Sequence, residues 1–506
     1  MSAEPPVANR AMISLSIMLA TIMQTLDSTI ANVALPHMQG SLSASQDQIA
    51  WVLTSYIVAA AIATPSTGWL CDRYGRKRIF IIAVAGFTVA SALCGMSETL
   101  LQIVVARLLQ GVFGAALVPL SQATLLDINP RERQGQAMAL WGMGVMVGPI
   151  IGPTLGGWLT EDYNWRWVFY INLPVGAIAL FGIITFMREQ AHAVRTRFDF
   201  FGFATLSLAI GLLQMLLDRG EILDWFGSNE IRIEAVGAAI AGIFFIAHTL
   251  TSGTDSYFDT RVLKDRNYLS GLLVIFVVGL VMYATRALLP TMLQDLLGYP
   301  VVTTGLLLAP SGAGTMLSML IAGRLVGRVD LRAIMVLGFG LTIFSLWQMT
   351  HYTLVLNESD IVWPGVIQGV GLGFIFVPLS TVTFSTLGAH LRPAGTSIFS
   401  LSRNIGSSIG ISIVEALYTR NAEVAHVGLS EHVGMFNPLA TAAGDLSNPA
   451  ILAGLNVEVT RQASMISYVD DFFFMMVLTL ATLPLVALIR PMARRIASPA
   501  DAPHLE

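Results

Sequence analysis

Charge is what this chain lacks most. Of its 506 residues only 12% are Asp, Glu, Lys or Arg, about half the share usual in a soluble globular domain. That excludes a disordered protein, a nucleic-acid binder and an ordinary cytosolic enzyme. Lysine is almost missing: Lys77 and Lys264 are the only two. No Gly-x-x-x-x-Gly-Lys-[Ser/Thr] loop occurs, so the chain has no phosphate cradle for ATP hydrolysis. There is no HExxH pair, and no clustered His, Ser or Cys beside a carboxylate at plausible depth, which leaves an enzyme reading without a catalytic constellation. The two cysteines, Cys71 and Cys94, cannot build a disulfide framework or a zinc site. The eight histidines are scattered, and no pair has metal-ligand spacing. A net charge of -4 steers no partner by itself. No cofactor is expected; the energy for any work must come from an ion gradient or from the substrate's own.

Apolar residues fill the space that charge leaves. They make up 54% of the chain, beside 45 glycines, and glycine is more frequent in membrane helices than in soluble ones. A membrane helix needs about 20 mostly apolar residues. Fourteen such runs can be read, near 12–36, 49–70, 79–97, 100–124, 136–159, 167–187, 200–217, 232–251, 268–290, 302–323, 333–353, 361–386, 395–418 and 471–489. The fold class is therefore all-α and polytopic. The first run is longer than a signal h-region and carries Asp27 and Asn32, so it is expected to remain as a span.

Basic residues collect in cytoplasmic loops. With the N-terminus inside, twenty of them fall on the inner side, among them Arg73, Arg76, Lys77, Arg78, Arg195, Arg197, Arg392, Arg494 and Arg495. Five fall outside: Arg166, Arg219, Arg232, Arg420 and Arg461. An even number of spans then puts both termini in the cytoplasm. Arg107, Arg286 and Arg403 lie within spans.

The chain repeats itself. Gln110-Gly111-Val112 before Val118-Pro119-Leu120-Ser121 in the fourth span returns as Gln368-Gly369-Val370 before Val377-Pro378-Leu379-Ser380 in the twelfth. The same offset maps Gly148 and Gly152 of the fifth span onto Gly406 and Gly410 of the thirteenth. Spans 1–6 (residues 1–190) and 9–14 (261–506) thus read as two parallel copies. Spans 7 and 8 (191–260) are an insert. Two six-helix halves in parallel are a transporter architecture with a substrate site between them near the midplane.

Two stretches carry finer signals. Between spans 2 and 3 lies Gly68-Trp69-Leu70-Cys71-Asp72-Arg73-Tyr74-Gly75-Arg76-Lys77-Arg78. Its glycines suit a tight turn and close helix approach, and Asp72, Arg73 and Arg76 could latch the inner side shut in one state. In the fifth span glycine recurs every fourth residue, at Gly144, Gly148, Gly152 and Gly156, with Pro149 and Pro153 interleaved. Small residues at that spacing let helices pack closely, and each proline removes a backbone donor and promotes bending. Either stretch could also be plain: a positive-inside loop, and a packing face with no part in transport.

These stretches resemble the signature motifs of the major facilitator superfamily, as does Arg107-Leu108-Leu109-Gln110-Gly111, and the fifth-span pattern resembles that of its exporters. Leu26-Asp27-Ser28-Thr29-Ile30-Ala31-Asn32-Val33-Ala34-Leu35-Pro36 is similar to the first-helix signature of the fourteen-helix drug:proton antiporters. So are Trp165-Arg166-Trp167-Val168-Phe169-Tyr170-Ile171-Asn172-Leu173-Pro174 and Phe198-Asp199-Phe200-Phe201-Gly202. Leu217-Asp218-Arg219-Gly220 and Asp224-Trp225-Phe226 resemble the EmrB-type subgroup. The resemblance covers nearly the whole chain. It implies a major facilitator fold in a bacterial inner membrane and proton-driven export of small-molecule drugs. Glu415 and Arg286 depart from the pattern, standing where well-known EmrB-type members have uncharged residues.

An ionisable residue at mid-membrane costs a few kcal/mol and marks a functional hypothesis. Asp27 is the first: a carboxylate that alternates between a proton and a cationic drug couples their fluxes, unless it is a structural partner for a buried cation. The resemblance places Arg107 beside it, assisting proton transfer. Glu415 and Arg286 would be a second pair, functional or static, and Arg403 reads as structural. Gln24, Asn32, Tyr56, Gln110, Tyr283, Gln294 and Phe376 are candidates to line a substrate cavity. Methionine and aromatic faces suit varied apolar substrates.

The segment 420–470, with Asn437-Pro438 and Asn448-Pro449, is the one long polar connection, and 450–469 suits short amphipathic helices. By resemblance it is a candidate contact for a periplasmic membrane-fusion protein leading to an outer-membrane channel; otherwise it is a passive cap. The expected function is proton-coupled efflux of hydrophobic or cationic molecules. The alternatives are export of one metabolite, lipid or siderophore, and a receptor that transports nothing.

Overall fold

The structure, a computed structural model, describes residues 9–188, 198–252, 260–433, 437 and 447–490. Arg195, Arg197, Pro438, Arg494 and Arg495 lie outside the described residues. Helices make up almost everything else. In chain order they are α1 (Arg10–Ser41), α2 (Gln46–Ala63), α3 (Ser66–Tyr74), α4 (Arg76–Met96), α5 (Leu100–Gly114), α6 (Leu117–Ile128), α7 (Gln134–Asp162), α8 (Trp167–Tyr170) and α9 (Asn172–Phe186). Then follow α10 (Phe200–Arg219), α11 (Asn229–Thr251), α12 (Arg266–Thr291), α13 (Val301–Leu325), α14 (Leu331–Met349), α15 (Glu358–Ser385), α16 (Arg392–Ser430) and α17 (Pro449–Leu488). Among the described residues twelve helical spans are long and apolar enough to cross a membrane, and the bent pair α2–α3 makes a thirteenth. α16 is the more polar helix of that size. The protein is a multi-pass membrane protein.

Helix ends are finished by their own side chains. Ser45 and Gln48 form a capping box at α2, and Thr99 and Gln102 form one at α5. Asp265, Asp330 and Asn448 cap α12, α14 and α17. Each cap satisfies a backbone donor that the helix cannot. Two expectations need correction here. The stretch 68–78 is not an open loop: Pro65 stands at a 55° bend after α2, and α3 carries the motif up to Tyr74. Only Gly75 turns the chain, at φ 88°, a conformation that glycine adopts without steric penalty. The stretch 450–469 is not a set of short helices either. α16 runs to Ser430 and α17 starts at Pro449, so each far exceeds the ~20 residues a bilayer needs.

The repeat reappears as packing. In the first half Gly148 lies on Thr25 of α1, where a Cβ would stand 2.4 Å from the Thr25 carbonyl oxygen. In the second half Gly406 and Gly410 of α16 lie on the Phe276 and Leu280 carbonyls of α12 in the same way. Without water to drive helices together, such backbone-to-backbone contact is the main adhesive in a bilayer. The inserted pair α10–α11 is tied at one end by His248 Nε2 to Asp199, at 2.9 Å, and at the other by Arg219 to Glu230, at 2.5 Å. α10 bridges the seam between the halves. On one side Thr54 of α2 donates to Asp218; on the other Gln214 donates to Ser408 of α16 at 2.9 Å.

Candidate functional site

Asp27 sits in α1 with no solvent exposure. Three neighbours donate to it. Arg107 Nη1 of α5 reaches Oδ2 at 2.8 Å, and Gln110 Nε2 and Asn172 Nδ2 each reach Oδ1 at 2.8 Å. Arg107 and Gln110 are one helical turn apart, so α5 presents both to α1 on one face. Asn172 stands at the first turn of α9 and also donates to Ser91 Oγ at 3.0 Å. Arg107 is held from behind: its Nε donates to the Val52 carbonyl at 3.1 Å and its guanidinium lies 4.3 Å over the Tyr56 ring. Gln24 donates to the Tyr56 hydroxyl at 2.9 Å. The result is a charge-paired carboxylate whose acceptor capacity is spent on donors from two other helices. Breaking such a buried pair by removing one partner typically costs about 3–5 kcal/mol, whereas the intact pair is close to neutral.

Gln24, Tyr56 and Gln110 are all bonded within this cluster. Asn32 is exposed, and none of the bonds to Asp27 comes from it. Asn172, in a stretch that carried the family resemblance, was not among the expected site residues; an asparagine at a span start gives no sign of its partner in sequence.

A second site lies between the halves. Its walls are Met146 of α7 with Ile275, Val278, Gly279, Met282 and Tyr283 of α12, Met319 of α13, Leu372 and Phe376 of α15, and Arg403 of α16. Tyr283 and Phe376 are among these walls. Phe376 also stacks on Trp141 at 5.7 Å. Gln294 sits in the π-turn Met292–Leu296 beyond α12, away from these walls. Arg286 and Glu415 are not brought together. Arg286 Nη2 points to Met146 Sδ at 3.4 Å. Glu415 is exposed, and the charges that bear on it are those of Glu221 and Asp218 near the end of α10. Asp471 of α17, also not expected, is fully buried with neither carboxylate oxygen hydrogen-bonded.

The two motif stretches meet the opposite half. Gly68 of α3 lies on Ala394 of α16, where a Cβ would come 2.9 Å from the Ala394 Cα. Arg76 pairs with Asp127 at the end of α6 at 2.5 Å, and the second oxygen of Asp127 pairs with Arg392 at the start of α16. One carboxylate thus joins the two halves. Arg73 lies against the Trp69 and Tyr74 rings, and Asp72 is exposed. α7 stands between α1 and α13. Gly144, Gly148, Gly152 and Gly156 face Met18, Thr25, Thr29 and Ile30 on one side, while Ile150 fills the space over Gly312 on the other. The helix runs unbroken through Pro149 and Pro153.

A membrane-embedded two-half bundle with an internal carboxylate and a cavity at the seam defines a transporter, and this protein is not an enzyme. The chain belongs to the major facilitator superfamily, whose family profile matches residues 17–411, and within it to the EmrB-type exporters. It is similar to the multidrug export protein EmrB of Escherichia coli K12, 38% identical over 86% of this chain and 85% of that one. It is also similar to the fatty acid resistance protein FarB of Neisseria gonorrhoeae, 35% identical over 96% of this chain and 98% of that one. The human organic anion transporter MFSD10 shares the fold, with a TM-score of 0.61 at 14% identity, covering 94% of this chain and all of that one.

Proposed function

We infer that the protein exports hydrophobic or cationic small molecules from the cytoplasm in exchange for protons, by alternating access. The observation that carries this reading is the Asp27 cluster. A carboxylate sealed from solvent and held by Arg107, Gln110 and Asn172 has a partner to fall back on whenever it gives up a proton. Arg107 stabilises the charged form, and a cationic drug or a proton arriving at Asp27 competes with that pair. The energy source is the proton gradient. The relatives named for multidrug export support the substrate class.

The division of labour follows the chain. Residues 1–190 form the proton-handling half and 261–506 the half that supplies most of the cavity; 191–260 form the bridging insert. The basic face is cytoplasmic in a bacterial inner membrane, with both termini there. Asp127 with Arg76 and Arg392 is then the cytoplasmic latch, shut in this conformation, and Asp72 and Arg73 frame it. The hairpin of α16 and α17 projects on the other side. His426 reaches Asn456 at 3.1 Å within it, and Val424 and Val457 are 66% and 61% exposed. Those valines suit contact with a membrane-fusion partner that continues to an outer-membrane channel. Deleting part of 425–460 should abolish co-purification of that partner and leave vesicle transport intact; unchanged co-purification would remove the contact.

The function is tested by a drug-susceptibility panel in a host stripped of its own pumps. Expression should raise resistance to ethidium and other lipophilic compounds, and Asp27→Asn should return it to the background. Resistance retained in full by Asp27→Asn contradicts the coupling role.

A further inference from the structure

The first and fourth spans of each half are joined by the same repeated glutamine. Gln110, from the Gln-Gly-Val string of the first half, donates to Asp27 of α1 at 2.8 Å. Its copy Gln368 in α15 donates to Thr285 of α12 at 3.3 Å. The last span of each half completes the junction. Asn172 of α9 donates to Asp27 at 2.8 Å, and in the second half Thr285 donates to Met475 Sδ of α17 at 3.3 Å. The three-helix junction that holds the carboxylate in the first half is thus repeated in the second, with a threonine at its centre. The second half has its acid close by. Asp471 precedes Met475 by one turn on the same face of α17, about 6 Å along the helix.

Asp471 has no solvent exposure, and neither carboxylate oxygen has a hydrogen-bond partner. Tyr468, Phe472 and Met475 on its helix pack with Leu288 of α12 and Met349 of α14 in one apolar cluster. α17 packs on α12, α14, α16 and the turn Met292–Leu296, and the titratable groups these bring supply no cation to it. Asp470, beside it, is exposed. Tyr468 lies one turn back, 4.6 Å from the Tyr418 ring of α16 and within reach of the charge on Asp295 in the turn after α12. Tyr352, just past α14, meets the Phe472 ring at 5.8 Å. Arg286, next to Thr285 on α12, is turned to Met146 of the first half. A carboxylate stripped of both water and donors is far costlier than the neutral acid, and an acid inside a span marks a functional position. We propose that Asp471 is a second proton-carrying site, loaded in this conformation and emptied only when the halves change state. Asp27 has Arg107 to fall back on and can yield its proton to an arriving cation. Asp471 has no such partner, so it keeps its proton while substrate binds and gives it up when movement brings water to it.

This rests on the proton-driven export reading and deepens it by setting the charge moved per cycle. One proton at Asp27 exchanged for one ethidium cation is electrically silent. A further proton carried by Asp471 makes the cycle move net positive charge in the proton's direction. The test is ethidium transport by the purified full-length protein in proteoliposomes, under a fixed pH gradient, with and without a potassium–valinomycin potential. A potential that draws cations along the proton's direction should speed wild-type transport severalfold, because each charge that crosses gains from it. Asp471→Asn and Asp471→Leu should lose that acceleration, and Asp471→Glu, which restores a carboxyl, should keep it. Wild-type transport indifferent to the potential overturns the proposal and needs no variant. So does an unchanged acceleration in a folded Asp471→Asn or Asp471→Leu protein. Failure of the export reading shows differently, as no ethidium movement by the wild-type protein under the pH gradient alone.

Discussion

Asp27 draws its three donors from two helices far from it in sequence, α5 and α9. Arg107 is the partner that matters most to the protein's integrity. Arg107→Ala leaves the carboxylate buried and alone, so thermal stability in detergent should fall by about 3–5 kcal/mol, and Asp27→Asn in the same background should restore much of it. Destabilisation that the second substitution leaves in place would mean the arginine acts through packing over Tyr56 and not through charge. Asn172→Ala removes one donor of three and should cost about 1–3 kcal/mol. Sequence made Asp27 and Arg107 legible because a charge in an apolar run stands out. It hid Asn172, Asp127 and Asp471: a neutral amide at a span start looks ordinary, and carboxylates at span edges look solvated until their neighbours are known. It also suggested an Arg286–Glu415 pair because opposite charges in one half invite pairing; helix rotation decides which faces meet, and these two face apart.

Among the elements α7 shows how spacing becomes mechanism. Its glycines differ in what they tolerate. At Gly148 a new Cβ meets the backbone of Thr25, whereas at Gly144 it meets the tip of the flexible Met18 side chain. Gly148→Ala should therefore sharply reduce transport and folded yield, and Gly144→Ala should be much milder; equal effects would mean that the stripe acts through helix propensity alone. The glycine period was plain in sequence. Which helix it packs on was not, since period 4 names a face and not a partner. The same limit applied to α16 and α17, where polar residues suggested loops although the helices continue past the apolar part. The bridging position of α10 depends on Gln214 and Asp218, which sequence shows as isolated polar residues in a span. Linking Gln214→Cys to Ser408→Cys with a short thiol-reactive bridge should stop turnover, with recovery on reduction, because the halves could no longer separate along that seam. Normal turnover in the linked protein would show that α10 travels with the second half.

At the scale of the molecule the halves meet on the basic face through one shared carboxylate. Asp127→Asn removes the common partner of Arg76 and Arg392. A single cysteine placed beneath the latch should then label faster from the basic face, by severalfold. Unchanged labelling would assign closure to the Gly68–Ala394 contact instead. The repeat of QGV and VPLS was enough to read the two-half architecture. The conformation was not legible, because both states use the same residues and differ in which contacts are made.

Exchange of a proton for substrate at Asp27 is the central claim, and proton release measures it directly. Purified protein in weakly buffered detergent solution receives ethidium while a pH indicator dye reports released protons. The wild-type protein should release protons in a saturable way, and Asp27→Asn should release none while still binding ethidium. Equal release by both proteins would contradict the account.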